Sequence, residues 1–211
     1  MQTTDFDEYL LSHTSETNSI LNDLYRETNL KILMPRMLAG PLQGKFLEMI
    51  SCMIKPMSIL EIGTYTGYSA ICLSAGLADG GMIHTIEKNP ELKAIAEKYF
   101  EKAGLTKKIK YYLGNAVNII PEINEQFDLV YMDADKKNYL NYYKQIFDKV
   151  KTGGFIIADN ALWDKKVLIK PDPRDKETLG IIEFNDFIQN DDRVENMLLP
   201  LRDGLMIVRK K

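Results

Sequence analysis

The sequence predicts an α/β protein: a doubly wound, mostly parallel sheet with an antiparallel C-terminal hairpin and an N-terminal helical extension. Three observations carry that expectation. From Ser58 onward, short apolar runs alternate with stretches of helical periodicity. Near the end of the chain two apolar runs meet through Arg202-Asp203-Gly204, and Asp-Gly between such runs is a hairpin signal. Before Ser58 the apolar residues recur at helical spacing only.

Residues 1–9 are acidic and polar, without the basic and apolar pattern of a secretory leader. Ile20, Leu21, Leu24 and Tyr25 predict one helix, and Phe46, Ile50, Met53 and Ile54 a second. The breaker-rich residues 34–41 between them read as loop. Strands are expected at 58–62, 82–87, 109–113, 127–132 and 155–158. Asn89 as N-cap, Pro90 in the first turn and the stripe Leu92, Ile95, Ala96, Tyr99 and Phe100 mark a helix that Gly104 ends. A further helix over 139–150 stops before Gly153-Gly154, and residues 165–179 read as a charged, mobile loop. Strands joined by helical crossovers must run parallel, so the hairpin at 194–200 and 205–209 sets this Rossmann-like arrangement apart from the ordinary dinucleotide-binding branch. The chain reads as one domain, 1–211, with a helical cover over 1–55 and a core over 56–211.

The 211 residues are 45% apolar and 27% charged, ordinary values for a globular chain. The net charge is −3, which gives no general attraction for phosphate backbones or anionic lipid. No segment approaches the roughly 20 apolar residues that cross a bilayer. Cys52 and Cys72 lie in apolar helical stretches and read as buried thiols of a reducing, cytoplasmic compartment. His84 in a strand and His13 in the helical cover read as structural.

In open α/β sheets ligands sit beyond the carboxyl ends of the strands. Those ends carry acids here: Glu61, Glu87, Asp133 with Asp135, and Asp159. Carboxylates crowded on one edge need cationic company, a metal ion or a positively charged ligand. The loop Gly63-Thr64-Tyr65-Thr66-Gly67 lacks the second glycine of the pyrophosphate-binding pattern, and Glu61 before it suits a ligand carrying an ammonium. Glu87 at the next strand end can accept ribose hydroxyls. With Gly114-Asn115-Ala116 these residues describe a nucleoside site, for S-adenosylmethionine rather than a dinucleotide. Asp133, Asp159 and Asn160 offer oxygen ligands only, which suits Mg²⁺, with Ca²⁺ or Mn²⁺ as alternatives; the competing reading is an Asx turn at Asp159-Asn160 and a helix cap at Asp133. Lys136 beside that edge can accept a proton or stabilise a departing charge. Trp163 is read either as lining an acceptor pocket or as a packing aromatic.

The motifs Leu60-Glu61-Ile62-Gly63-Thr64-Tyr65-Thr66-Gly67-Tyr68-Ser69, Met132-Asp133-Ala134-Asp135-Lys136-Lys137-Asn138-Tyr139 and Asp159-Asn160-Ala161-Leu162-Trp163, with Leu199-Pro200-Leu201-Arg202-Asp203-Gly204, resemble the metal-dependent class I S-adenosylmethionine O-methyltransferases of the caffeoyl-coenzyme-A and catechol type. The resemblance implies a cofactor site of Met37, Glu61, Gly63, Thr64, Tyr65, Ser69, Glu87, Asn115, Ala116, Asp133 and Asp135. It further implies Asp133, Asp159 and Asn160 as metal ligands, Lys136 as the base that assists deprotonation, with Asp133 beside it at the reacting centre, and a homodimer. Ala39 and Gln43 depart from the threonine and glutamate of the plant enzymes. The expected reaction is methyl transfer to a catechol-like small molecule. Three rivals stand beside it: a hydroxylated tRNA base as acceptor, to which Lys165, Lys166 and Lys170 would be suited; a phosphatase or phosphotransferase using Asp133 and Asp135; and a non-catalytic cofactor-binding module.

Overall fold

A computed structural model describes residues 5–211; residues 1–4 of the polar N-terminal stretch lie outside the described residues. Seven strands, β1 (Ser58–Ile62), β2 (Met82–Glu87), β3 (Ile109–Leu113), β4 (Phe127–Met132), β5 (Val150–Asp159), β6 (Val194–Leu199) and β7 (Leu205–Lys210), form one sheet in the order β3-β2-β1-β4-β5-β7-β6. The first five run parallel, and β7 is antiparallel to both β5 and β6. The mostly parallel sheet and its antiparallel C-terminal hairpin are therefore as the sequence predicts.

Among the described residues the eight helices are α1 (Asp5–Ser12), α2 (Ser19–Lys31), α3 (Gly40–Ile54), α4 (Tyr68–Ser74), α5 (Lys93–Lys102), α6 (Ala116–Ile119), α7 (Tyr139–Ile146) and α8 (Lys176–Gln189). They cover both faces of the sheet, so the interior strand β1 is buried along its whole length. On one face Ile59, Ile83, Leu129, Tyr131 and Ile157 pack with residues of α2, α3, α4 and α5. On the other, Leu60, Ile62, Val130, Met132 and Ile156 pack with α6, α7 and α8. The alternation follows from the two-residue period of a strand.

Several expectations need correction. The predicted stripe of α3 is only partly its buried face: Phe46, Ile50 and Ile54 pack against the core, but Met53 is 68% exposed, and the buried positions are Gln43, Gly44, Leu47 and Ser51. Apolar counting misses this face because two of its residues are polar and satisfied by partners, with Ser51 Oγ donating to Leu73 O at 2.5 Å. Gly40 and Pro41 open α3 instead of belonging to a loop, and Pro35–Met37 forms a 3₁₀ turn. Cys52 is exposed while Cys72 is buried, and both are free thiols. The helix expected over 139–150 ends earlier: α7 stops at Ile146, a 3₁₀ turn covers Phe147–Lys149, and β5 already begins at Val150. Gly153 and Gly154 fall inside β5, where the pairing shifts from Phe127↔Val150 to Leu129↔Phe155; the glycines accommodate that irregularity. The segment read as a charged loop contains a 3₁₀ turn at Lys166–Leu168 and, from Lys176, the first turn of α8. Asp175 caps that helix by accepting from Thr178 N at 3.1 Å, and Ile181, Phe184 and Ile188 form its buried face.

Candidate active site

The loops after β1 and β4 meet at the point where the strand order reverses, the place where open α/β sheets bind ligands. Asp133 N donates to Ile62 O at 2.8 Å. Gly63 has φ +103°, and a Cβ there would lie 2.0 Å from Asp133 O. Only glycine permits this approach.

On the β1–β2 side, Glu61 sits inside the strand rather than at its tip and is fully buried. Its carboxyl oxygens accept from Ser69 Oγ at 2.6 Å and Thr85 Oγ1 at 2.5 Å, and Thr85 in turn shares a hydrogen bond with Thr64. Burial pushes the Glu61 carboxyl up to about 7, and the nearby Asp133 and Glu87 carboxylates push the same way. Glu61 thus reaches the loop through Ser69. Glu87 closes β2 and accepts from Tyr65 N and Asn89 N, each at 2.8 Å. A carboxylate has about four acceptor positions, so Glu87 keeps capacity for two further donors, as a ribose diol requires. Tyr65, at φ +50°, directs its hydroxyl back to Leu33 O and Met34 O at 3.2 and 3.3 Å. The glycine loop thereby holds the segment leading to Met37, a residue 57% exposed. Asn115 caps α6 by accepting from Val117 N at 3.1 Å, and Ala116 is buried. Asp135 accepts from Tyr142 OH at 2.6 Å and from Asn138 Nδ2. Burial pushes its carboxyl up, but these two donors outweigh it and hold it below the ordinary aspartate value.

On the β4–β5 side, Lys136 Nζ donates to Asp133 Oδ1 at 2.7 Å and to Tyr139 OH at 2.8 Å. Tyr139 OH shares its proton between Met132 O and Asp159 O, both 3.1 Å away, and so ties the ends of β4 and β5 together. Burial pulls the Lys136 amine down, yet Asp133, Tyr139 and Asp159 together more than compensate, and the net shift is upward: this lysine is held as an ammonium. Asp159 ends β5 and is buried; burial, then the charge of Asp133, push it up to about 6. Its Oδ1 accepts from Asn160 N at 2.7 Å, a contact to the next residue rather than an Asx turn. Asp133 is bonded to a lysine side chain rather than capping a helix. The Asn160 amide N–H is committed to Asp203 Oδ2 at 3.2 Å, which turns its carbonyl the other way. The Asp133 and Asp159 carboxylates, with an amide carbonyl fixed by its own N–H, offer oxygen donors of the kind a hard divalent cation takes. Among the described residues no group of three or more His, Cys, Asp or Glu forms a metal cluster; this donor set has only two acids. Trp163, at φ +48°, packs on the core edge with its indole N–H unpartnered and its ring 6.0 Å from Lys136 Nζ.

The profile of the O-methyltransferase family matches residues 11–211. The chain belongs to that family. This O-methyltransferase is 35% identical over 179 residues to a caffeoyl-CoA O-methyltransferase of Nicotiana tabacum, covering 80% of this chain and 75% of that one. An O-methyltransferase from Bacillus cereus, solved in complex with SAH, superposes with a TM-score of 0.91 at 29% identity over 99% of this chain and 98% of that one. An SAH-bound methyltransferase from Podospora anserina superposes with a TM-score of 0.89 at 27% identity, over 98% and 94%. No helix among the described residues is long and apolar enough to cross a membrane.

Sequence reasoning missed two side chains of this O-methyltransferase that complete the rim. Gln43 Nε2 donates to Asp159 Oδ2 at 2.6 Å and to Tyr131 OH at 2.9 Å. Arg202 Nη1 donates to Gln43 Oε1 at 3.0 Å, to Leu38 O at 3.1 Å and to Ala39 O. The only sequence signal was that Gln43 and Ala39 depart from the plant enzymes.

Proposed function

We propose that the protein transfers the methyl group of S-adenosylmethionine to one hydroxyl of a vicinal aromatic diol, assisted by a divalent cation, most simply Mg²⁺. The observation that carries this reading is the contact between Gly63 and Asp133, which puts the nucleoside-type residues beside the oxygen-only trio. SAH in the related Bacillus cereus and Podospora anserina structures supports the cofactor, and the caffeoyl-CoA enzymes among the relatives support an ortho-diol acceptor.

Glu87 would take the ribose hydroxyls with its two spare acceptor positions. Gly63, Thr64, Tyr65 and Ser69 would line the methionine end, with Glu61 fixing Ser69 from behind and Met37 covering the site. Asn115, Ala116 and Asp135 would flank the adenine. S-adenosylmethionine supplies an electrophilic methyl on a sulfonium, whose S–C bond breaks as the new O–C bond forms. Asp133, Asp159 and Asn160 would hold the cation, whose Lewis acidity would lower the pKa of the diol so that its proton can pass to solvent. Lys136, held as an ammonium, suits stabilisation of the phenolate oxygen more than proton abstraction. Trp163 would border the acceptor ring. Because attack disperses charge between an anion and a cation, most of the protein's contribution is alignment.

Asp135 is engaged by Tyr142 and Asn138, an arrangement that gives a phosphotransferase no mobile acid, and family membership favours methyl transfer. The test is a labelled-methyl transfer screen with Mg²⁺ over catechols, hydroxycinnamoyl thioesters, monophenols and tRNA. Monomethylation confined to the vicinal diols is expected. Equal transfer to monophenols, or transfer to tRNA alone, would overturn the acceptor assignment.

A further inference from the structure

The Asp159 carboxylate is surrounded on three sides by donors of this chain, and their arrangement bears on which cation it accepts. Oδ2 receives Gln43 Nε2 at 2.6 Å and Tyr131 OH at 3.1 Å; Oδ1 receives Asn160 N at 2.7 Å. A carboxylate offers about four acceptor positions, two on each oxygen. Both positions of Oδ2 are therefore filled, and one remains on Oδ1.

The amide of Gln43 is fixed at both ends by chemistry. Arg202 is a donor only, so the Gln43 oxygen must face it; Asp159 as a carboxylate is an acceptor only, so the amide N–H must face Asp159. Gln43 is fully buried in α3, and Arg202 lies in the turn before β7 and also holds Leu38 O and Ala39 O. The pair thus joins the N-terminal cover and the C-terminal hairpin to one oxygen of Asp159.

We propose that Gln43, oriented by Arg202, is a specificity-determining positioning residue: by occupying Asp159 Oδ2 it restricts this carboxylate to a single oxygen and so biases the site toward Mg²⁺ over Ca²⁺. Ca²⁺ takes about six to eight oxygens and often a bidentate carboxylate, whereas Mg²⁺ takes six at shorter distances. Freeing Oδ2 opens an additional ligand position that the larger ion uses and the smaller one does not. The inference rests on the proposed metal site.

The experiment measures displacement of Mn²⁺ from metal-stripped, full-length protein by electron paramagnetic resonance, with Mg²⁺ and Ca²⁺ as separate competitors. Gln43→Leu keeps the side-chain volume and removes the donor; Arg202→Met keeps Gln43 and releases its amide. Circular dichroism and a thermal melt establish that each variant is folded, and Arg202→Met serves if the buried substitution does not fold. The ratio of Ca²⁺ to Mg²⁺ affinity is expected to rise about tenfold in Gln43→Leu and several-fold in Arg202→Met. A ratio within twofold of the wild type in a folded variant would overturn the role of Gln43 while leaving the metal site standing. Wild-type protein that binds no Mn²⁺ would overturn the metal site and this inference with it.

Discussion

Glu61 is enclosed with hydroxyl donors on both oxygens, and burial holds its carboxyl near 7 against an ordinary value of 4.5. A carboxyl whose folded pKa is raised binds more protons folded than unfolded between those values, so it stabilises the fold increasingly as pH falls from 7 toward 4.5. Above 7 the buried charge costs up to about 3 kcal/mol. Carboxylates such as Glu27, lowered to about 2 by the Lys98, Tyr99 and Lys31 bonds, act in the opposite direction at low pH, so the comparison must be with a variant. Glu61→Gln is expected to gain stability relative to the wild type between pH 5 and pH 8 in parallel urea melts; a stability difference independent of pH would refute the buried charge. Lys136 gives a second outcome at this scale. Lys136→Met should lower kcat by about 10²-fold while SAH affinity stays within about threefold. Lys136→Arg should recover part of the rate if the positive charge is what matters; equal loss in both would favour a base. The acids and glycines of this rim were legible because each stands within a few residues of a strand end. Gln43 and Arg202 were not, since they meet Asp159 and each other across 116 and 159 residues and neither belongs to a local pattern.

Helix α8 shapes the site from behind. Gly180 lies in its interior, where a Cβ would sit 2.6 Å from Lys137 Cα and 2.7 Å from Lys136 O. The helix therefore presses directly on the turn that carries Lys136, and Glu177 accepts from Lys137 N at 3.1 Å to hold the same contact. Gly180→Ala must displace one backbone or the other, with an expected loss of about 1–3 kcal/mol in chemical melts. Because the displaced turn holds Lys136, kcat should fall as well, more than KM changes. This element was hidden in the sequence by the charged, proline-containing residues ahead of it, which read as continuous loop. The end of β5 was legible as a short apolar run, but its start was not: Gly153 and Gly154 look like a helix stop, and only pairing with β4 makes them part of a strand. The strands β1 to β4 were readable to the residue because each is an apolar run bounded by turn residues.

Across the whole molecule, the reversal of strand order between β1 and β4 brings the two halves of the site together. Helix α4 follows β1 on one face of the sheet and α7 follows β4 on the other, which leaves the loops at the carboxyl edge free to meet. That edge collects acids from four strands. In the proposed function Glu61 and Glu87 would flank the cationic cofactor, and Asp133 and Asp159 the divalent cation. Lys136 supplies one positive charge against two carboxylates there, a balance that the proposed cation would complete. The alternating order of elements made the sheet predictable, and the edge rule made the acids interpretable; the packing of the N-terminal cover onto Asp159 required the structure. Methyl transfer as proposed depends on a divalent cation at this edge. That dependence is tested most directly by measuring methylation of a catechol from S-adenosylmethionine by chelator-stripped protein, before and after Mg²⁺ is restored. The rate is predicted to fall by at least about 10²-fold on stripping and to return with Mg²⁺, whereas full-rate catechol methylation in excess chelator would rule out a role for the cation.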